Sequence, residues 1–318
     1  MPIDPRLLHP NNHIISSELA ITIQQRLCRI NNLVCREIWN RPDQYYVLAG
    51  SYGRNTAINT SDIDVLIKLP KKIYNRYDQY KRNGQSALLQ FLKDTLHQTY
   101  PKSHISADGQ VVKIDFSDDT SFELVPAFEI KPASKNNGLI DEEYVENVNF
   151  IKQISNHRIT SLPLDLNIRA DNPGFVYPDS NNGGDWRHTN PLADQQAMQK
   201  LNKESQGLLC DLCRHLRYIR DGYFHSYHIK GILIDSFCYD LICNSDDLIK
   251  SWGSIQHHNS ILHLCNNAYQ KLDYGLIFPQ RISTPGLGHL KFEQDDIEKL
   301  KKVIRESYSI NYYNIQYQ

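Results

Sequence analysis

Two aspartates, Asp62 and Asp64, stand two positions apart in the apolar segment 61–67, which reads SDIDVLI. This pattern is typical of a β-strand, in which successive side chains alternate between faces, so both carboxylates are expected on one face, ~6.6 Å apart along the strand. Carboxylate oxygens are the ligands that divalent cations such as Mg²⁺ prefer. The pattern predicts a metal site, although such a pair is also common on metal-free protein surfaces.

A glycine–serine pair, Gly50 and Ser51, follows the short apolar segment 45–49 and precedes Asp62. The segment predicts a strand that runs into a turn, with a helix beginning at Ser51. Free amides at a helix start, together with a serine hydroxyl, hold phosphate oxygens well. An ordinary turn would also use glycine here. Phosphate donors beside metal-binding carboxylates are the two halves of a nucleotidyl-transfer site, which is the leading hypothesis.

A third acidic group is expected, because two-metal phosphoryl transfer needs one to hold the second ion beside the attacking hydroxyl. Two residues in β-strand patterns qualify. Asp115 lies in VKIDF and Glu123 lies in SFELVPAF. The strand patterns alone leave both open.

Three segments together carry a family resemblance: GSYGRNTAI at 50–58, SDIDVLI at 61–67 and FELVPAF at 122–128. They resemble the polymerase-β-type nucleotidyltransferase superfamily, and most closely the bacterial CD-NTases. These are the cyclic-oligonucleotide synthases of CBASS anti-phage defence, related to oligoadenylate synthase and cyclic GMP-AMP synthase. In that group the last acidic residue precedes an apolar pair and Pro-Ala-Phe, so the resemblance favours Glu123 over Asp115. Aspartate is commoner there, and the extra methylene of glutamate could alter metal geometry or rate.

The resemblance implies a template-independent nucleotidyltransferase that uses two Mg²⁺ or Mn²⁺ ions. Asp62, Asp64 and Glu123 would hold the ions, and Gly50 and Ser51 would hold the β- and γ-phosphates of the donor. The substrates would be nucleoside triphosphates (ATP, GTP or pyrimidine nucleotides), joined into a cyclic di- or trinucleotide second messenger with release of pyrophosphate. Regulatory or effector proteins of a defence operon are the implied partners.

The same resemblance continues through residues 174–191, 209–222 and 226–234, with softer motifs. Arg217 stands where relatives often carry a triphosphate-contacting lysine, and an arginine there could clamp phosphate oxygens bidentately. A solvated helix face is the equal alternative. Ser226 precedes the next predicted helix, and it either caps that helix or contacts the phosphates.

Composition describes an ordinary globular protein of 318 residues, 40% hydrophobic and 22% charged. The formal net charge of −1 gives no global attraction to nucleic acid, so nucleic-acid binding is not required. No apolar run is long enough to span a membrane, and the N-terminus has no signal-peptide pattern. Seven cysteines without a disulfide-like spacing favour a reducing, cytoplasmic location.

The order of predicted elements indicates an α/β (α+β) fold. A polymerase-β-like nucleotidyltransferase lobe with a mixed sheet would span residues 1–170, and a helical lobe would span 171–318, with the active site in the cleft between them. Apolar spacing predicts helices over 16–39 and 73–99, then strands. Residues 130–190 are expected to form a loop with one helix near 141–153. Further helices are expected over 191–221, 226–243, 246–271 and 291–307.

Alternative functions stay open at this point. A related transferase that adds nucleotides to RNA, to a protein or to a small molecule would share the same acidic triad. A binding module that has lost its chemistry, or a structural protein, is also conceivable. Two cysteine–histidine groups are set aside as structural, since their spacing fits no metal or redox motif: Cys210 with Cys213, and the segment 257–265.

Overall fold

The computed structural model describes residues 14–59, 62–130, 174–224, 228–243, 264–265, 281–286, 289–291 and 294–316. The chain forms two compact units from interleaved segments. One, here called the sheet unit, contains Glu18–Ala49 and Asp62–Pro191. The other, here called the helical unit, contains Met1–Ser17, Gly50–Ser61 and Leu192–Gln318. The predicted boundary at 170/171 lies outside the described residues and stays a prediction.

The sheet unit is built on a mixed sheet whose described part has seven strands: β1 Tyr46–Leu48, β2 Ile63–Lys68, β3 His104–Asp108, β4 Val111–Asp115, β5 Ser121–Ile130, β6 Gly174–Asp179 and β7 Asp185–Thr189. The main order is β1-β2-β5-β4-β3, and β6 and β7 extend the sheet beyond the second half of β5. Strands β2 and β5 run parallel, whereas their other partners are antiparallel. The two central strands therefore begin at the same edge.

Among the described residues of this unit, three helices accompany the sheet: α1 Ser17–Val34, which continues as a π-turn over Cys35–Trp39, α3 Lys71–Asp78 and α4 Gly84–Thr99. The helix predicted over 16–39 is confirmed, and most of its apolar stripe is buried, namely Ile23, Leu27, Ile30, Val34 and Ile38. The helix predicted over 73–99 is instead two helices. The break lies at Asn83, whose side chain accepts a hydrogen bond from the Ser86 amide and so caps the start of α4.

Strands β6 and β7 form a hairpin where a loop was predicted over 130–190, so that prediction is wrong for residues 174–179 and 185–189. The turn residues are concentrated in the short helical turn Asn181–Gly183 that joins the two strands. Trp186 on β7 is buried and packs against Tyr74 and Phe128. Burial of this aromatic cluster, together with pairing to β5, stabilises the two strands. The many turn-forming residues of the segment had instead favoured the prediction of a loop. The helix predicted near 141–153 lies outside the described residues.

In its described residues, the helical unit contains the short helix α2 Gly50–Gly53 and four longer helices: α5 Pro191–Glu204, α6 Leu208–Tyr223, α7 Gly231–Cys243 and α8 Gln294–Gln316. A small hairpin pairs β8 Arg281–Ser283 with β9 His289–Lys291. The single helix predicted over 191–221 is broken at Gly207, which adopts a left-handed φ of 94° before α6 begins. Helices α6 and α7 share an apolar core that includes Leu212, Leu233 and Phe237.

The predicted α/β fold class is confirmed, since one unit contains a mixed sheet with helices and the described part of the other is mainly helical. Within the described part of the chain, none of the helices has the length and apolarity needed to cross a membrane.

Candidate nucleotidyl-transfer site

The parallel pairing of β2 with β5 brings two predicted metal ligands side by side. Asp64 stands directly opposite Glu123 in the register, so their side chains leave the same face of the sheet. Asp62 precedes β2 and is exposed, while Ile63 and Val65 are buried on the opposite face. The predicted alternation of acidic and apolar residues is therefore present, and it gives an acidic face made of Asp62, Asp64 and Glu123.

Lys113 lies beside this acidic face and was not predicted. It stands opposite Glu123 on β4, and its Nζ is 3.8 Å from Oδ1 of Asp62. Both side chains are partly exposed, so the ion pair contributes little to stability. The period-two alternation that places Asp115 on this face also places Lys113 there, two residues earlier, so the signal was present in the strand pattern.

Asp115 has local partners that differ from those of the acidic face. Its Oδ1 accepts a hydrogen bond from Ser121 Oγ at 2.8 Å, and its Oδ2 lies 3.1 Å from His104 Nδ1. Burial would raise the pKa of Asp115, but the hydrogen bonds from Ser121 and His104 outweigh it and hold the pKa below its ordinary value. Both oxygens of Asp115 are therefore engaged by neighbouring side chains, whereas Glu123 stands beside Asp64, and the choice of Glu123 as the third acidic residue stays a prediction.

Glu123 has the opposite electrostatic environment. Burial raises the pKa of its carboxyl group, the nearby charge of Asp62 raises the pKa further, and Lys113 only partly compensates. The ionised form is therefore destabilised in the protein alone, and a bound cation would relieve that cost.

The donor chemistry of the acidic face fits a divalent cation. Carboxylate oxygens are hard ligands suited to Mg²⁺ or Mn²⁺, and the repulsion felt by Glu123 favours a positive charge here. Among the residues that the structure describes, no three His, Cys, Asp or Glu side chains converge as a ready-made metal site. The three carboxylates could hold a cation only after their side chains turn toward a common point.

The predicted phosphate-binding residues lie at the start of α2. Gly50 has a left-handed φ of 53°, a conformation in which glycine is the least strained residue. Ser51 is buried, and its carbonyl accepts a hydrogen bond from the Thr56 amide at 2.8 Å. The amide of Arg54 bonds to the carbonyl of Gly50 at 3.2 Å. These bonds close a tight glycine–serine turn, defined here as Gly50–Gly53.

A buried ionic network lies next to this turn, within the helical unit. Asp235 on α7 is fully buried and receives hydrogen bonds from Arg54, Thr56 and Arg217. The charges of the two arginines hold the pKa of Asp235 below its ordinary value although burial alone would raise it. Neither Asp235 nor Arg54 was predicted. The available signal was a single aspartate in the otherwise apolar start of α7, GILIDSF.

Arg217 is only 3% exposed, so it does not lie on a solvated helix face. Its Nη2 donates to Asp235 Oδ2 at 2.7 Å and its Nε to Oδ1 at 3.1 Å. Gly231 makes room for this guanidinium, since a Cβ there would lie 2.4 Å from Nη1. The predicted phosphate contact of Arg217 stays a prediction, and the carboxylate pair competes with it. Ser226 lies outside the described residues.

The cysteines that were set aside are structural in character. Cys210 and Cys213 are buried, and burial raises the pKa of both thiols, that of Cys210 to about 12. They are therefore unreactive at neutral pH. Cys265 is also buried and accepts a hydrogen bond from Ser307. His257, His258 and His263 lie outside the described residues.

One protein family matches part of the chain in sequence. Residues 15–138 match the family described as the Second Messenger Oligonucleotide or Dinucleotide Synthetase domain. This segment contains the glycine–serine turn, Asp62, Asp64 and Glu123. No curated protein matches the chain.

Several solved structures share the fold over nearly the whole chain. The CdnE cyclic dinucleotide synthase of Elizabethkingia meningoseptica, solved with GTP and Apcpp, has a TM-score of 0.58 and 13% identity, covering 90% of each chain. The c-di-GMP synthase CdnE of Capnocytophaga granulosa has a TM-score of 0.61 and 14% identity, covering 100% of this chain and 85% of that chain. The c-UMP-AMP synthase CdnE of Rhodothermus marinus has a TM-score of 0.60 and 12% identity, covering 97% of each. At these identities the similarity establishes the fold.

Proposed function

We propose that this chain, whose residues 15–138 belong to the Second Messenger Oligonucleotide or Dinucleotide Synthetase domain family, is a template-independent nucleotidyltransferase that makes a cyclic di- or trinucleotide. One observation of the structure carries the proposal. The parallel register of β2 and β5 sets Asp64 beside Glu123, with Asp62 on the same face. The fold shared with CD-NTase enzymes that were solved with nucleotides supports the same conclusion.

The acidic face is assigned to the metal ions of the reaction. Asp62, Asp64 and Glu123 would hold two Mg²⁺ or Mn²⁺ ions, which lower the pKa of an attacking hydroxyl and neutralise charge on the transferred phosphate. Lys113 stands at the margin of this face, where its ammonium group adds positive charge near Asp62. Gly50 and Ser51 would bind the β- and γ-phosphates of the donor nucleotide.

The reaction joins two nucleotides by forming one P–O bond and breaking another. A ribose hydroxyl of one nucleotide loses its proton and forms a P–O bond to the α-phosphorus of the second. The bond from that phosphorus to the pyrophosphate group breaks, and pyrophosphate leaves. A further attack of the same kind, by a free ribose hydroxyl on the α-phosphorus of the remaining triphosphate, closes the ring and releases a second pyrophosphate.

A regulatory partner is part of the proposal. The E. coli CdnC protein, which shares the fold with a TM-score of 0.54 and 11% identity, was solved in complex with a HORMA protein. We propose that regulatory or effector proteins act with this chain in anti-phage signalling, in the manner expected of a second-messenger synthase.

The experiment that tests the function uses the purified protein with ATP, GTP, CTP and UTP and either Mg²⁺ or Mn²⁺. The products are treated with phosphatase and identified by mass spectrometry. A phosphatase-resistant cyclic di- or trinucleotide is the expected result. A linear product alone, or label found only on added RNA or on the protein itself, would overturn the proposal in favour of a related transferase.

A second measurement tests the acidic face. The double substitution Asp62→Ala with Asp64→Ala should leave the protein folded and lower pyrophosphate release by on the order of 100-fold or more, because the transferred phosphate loses its electrostatic stabilisation. Asp115→Asn is the matched control, since it removes a neighbouring charge on the same sheet. It should retain activity. Full activity in the double variant, or loss in the control alone, would contradict the assignment.

A further inference from the structure

We infer that Asp235 is a positioning residue for the glycine–serine turn. Its buried carboxylate fixes Arg54 and Thr56, and through them the direction of the amides and hydroxyl that meet the donor phosphates. The inference rests on the proposed function, because it assigns Asp235 a role in that same nucleotide site. Asp235 does not contact the nucleotide itself in this proposal.

Asp235 forms hydrogen bonds both with the segment that follows the glycine–serine turn and with helix α6. Its Oδ2 accepts hydrogen bonds from Arg54 Nε at 2.7 Å and from Thr56 Oγ1 at 2.9 Å. The same carboxylate accepts two bonds from Arg217, on the neighbouring helix α6. Asp235 and Thr56 are fully buried, and Arg54 is 8% exposed. Two guanidinium groups therefore share one carboxylate in a site that water reaches little.

The residues held by Asp235 are the ones that close the turn. The Arg54 amide bonds to the carbonyl of Gly50, and the Thr56 amide bonds to the carbonyl of Ser51. Their side chains point to Asp235 while their backbones define the conformation of Gly50 and Ser51. A shift of the carboxylate would consequently be transmitted to the turn through two separate side chains.

An uncommon backbone conformation lies in the same segment. Asn55, between Arg54 and Thr56, has a left-handed φ of 60°, which asparagine adopts more readily than most residues other than glycine. Its carbonyl accepts a hydrogen bond from Arg214 Nη2 at 2.7 Å, so helix α6 also holds the segment.

Stability alone does not account for a buried charge here. Removing a carboxylate and two guanidinium groups from water is costly, and well-packed apolar residues of similar volume often stabilise a core as well or better. The ionic network fixes the orientation of the side chains that take part in it. A carboxylate and a planar guanidinium group form hydrogen bonds only in a narrow range of geometries. This is the property that a phosphate-binding turn requires.

The test compares two substitutions that each remove one buried hydroxyl from the helical unit. Thr56→Val removes the bond to Asp235 at 2.9 Å and a longer contact of the same hydroxyl with the Ser51 carbonyl at 3.5 Å, and it keeps the shape of the side chain. Ser307→Ala, on α8, removes the hydroxyl that contacts His215 and Cys265. Both should lower Tm by similar amounts. Only Thr56→Val should raise the KM for the donor nucleoside triphosphate, by roughly 5- to 10-fold, which is less than the full loss of a hydrogen bond to a charged group because the bond positions the turn and does not contact the nucleotide.

Arg54→Lys provides a second variant, which keeps the charge but loses the rigid fork. It should raise KM in the same direction as Thr56→Val, with a smaller change in kcat. Asp235→Asn is the direct substitution, and where the variant folds it should raise KM more than either. If it does not fold, Thr56→Val and Arg54→Lys carry the test. Equal kinetics for Thr56→Val, Arg54→Lys, Ser307→Ala and the unaltered protein would overturn the inference.

Failure of this inference and failure of the proposed function give different results. The increase in Tm caused by each of ATP, GTP, CTP and UTP with Mg²⁺ is measured in each variant alongside product formation. If nucleotide raises the Tm of the unaltered protein more than that of Thr56→Val, but no product forms, the positioning role stands and the proposed function fails. If it forms product and the turn variants match Ser307→Ala, the positioning role fails alone. If it neither binds nor converts any of the four nucleotides, both fail.

Discussion

Glu123 illustrates how a single residue can favour function over stability. Its carboxylate is partly buried beside Asp62, and both effects raise its pKa. At neutral pH the ionised side chain therefore weakens the folded state in the absence of metal. The same unfavourable charge attracts a cation, so the cost in the metal-free protein is consistent with a role in metal binding.

Substitution of Glu123 tests this interpretation. In metal-free buffer at pH 7, Glu123→Gln should raise Tm by about 1–2 °C, because it removes an ionised group that the fold disfavours. The contribution of a group with a raised folded-state pKa is unfavourable above that pKa and disappears as the pH falls through it. The difference in Tm between the variant and the unaltered protein should accordingly shrink as the pH is lowered from neutrality. Differential scanning calorimetry over a pH series measures both effects.

Asp115→Asn is the control variant, for which the expected change in Tm at pH 7 has the opposite sign. Hydrogen bonds from Ser121 and His104 lower the pKa of Asp115, so its ionised form favours the folded state above the ordinary carboxyl pKa. The substitution should lower Tm at pH 7, and that difference should vanish in acid. A shift of Tm in the same direction for both variants would contradict the electrostatic account of this face.

At the scale of elements, the approach of α3 to α4 depends on a glycine. A Cβ added to Gly84 would lie 1.9 Å from the carbonyl oxygen of Tyr77, an impossible contact with backbone. Gly84 is the first residue of α4, next to the capping Asn83. The helices can therefore meet at this distance only where the side chain is absent.

Gly84→Ala should destabilise the protein by about 3 kcal/mol, since the overpacked contact forces the backbone to move. Gly222→Ala is the matched control, in a helix whose added Cβ meets no described atom within 4 Å. It should be neutral or stabilising by about 0.5 kcal/mol, because alanine favours helix more than glycine does. Urea unfolding followed by circular dichroism measures the two midpoints. Equal midpoints would show that the two helices separate at little cost.

The whole molecule is interleaved, because the chain leaves the sheet unit at Gly50 and returns at Asp62. The segment Gly50–Ser61 supplies the helical unit with the buried side chains of Arg54, Thr56 and Ile58. Asp235 lies in the middle of that unit's sequence, yet two of its partners come from this early segment. The helical unit is thus incomplete without residues that are distant in the sequence.

A fragment containing residues 192–318 alone should fail to unfold cooperatively, because Asp235 loses the ion pair with Arg54 and the bond from Thr56. Breaking a buried ion pair typically costs about 3–5 kcal/mol. The same fragment joined to residues 50–61 through a flexible glycine–serine linker should recover a cooperative transition in thermal unfolding. Identical melting of the two fragments would mean that the early segment contributes nothing to the stability of the helical unit.

Local patterns in the sequence were enough for several features. The alternation of acidic and apolar residues around Asp64 determined which side chains share a strand face, since neighbouring side chains on a strand must alternate. The spacing of apolar residues likewise determined the helix over 16–39. The motif from Gly50 to Asp64, together with FELVPAF at 122–128, indicated the family resemblance, which the match over residues 15–138 confirms.

Tertiary structure decided the features that depend on pairing between distant segments. The sequence left Asp115 and Glu123 as alternatives on strand patterns alone, and the parallel register of β2 and β5 set Glu123 beside Asp64. Helix periodicity could not show that Arg217 is buried, because its burial requires a carboxylate from α7. The β6–β7 hairpin was hidden by turn-rich composition and is stabilised by pairing with β5. Periodicity is a local property of the chain, whereas register and the burial of charge arise only when remote segments meet.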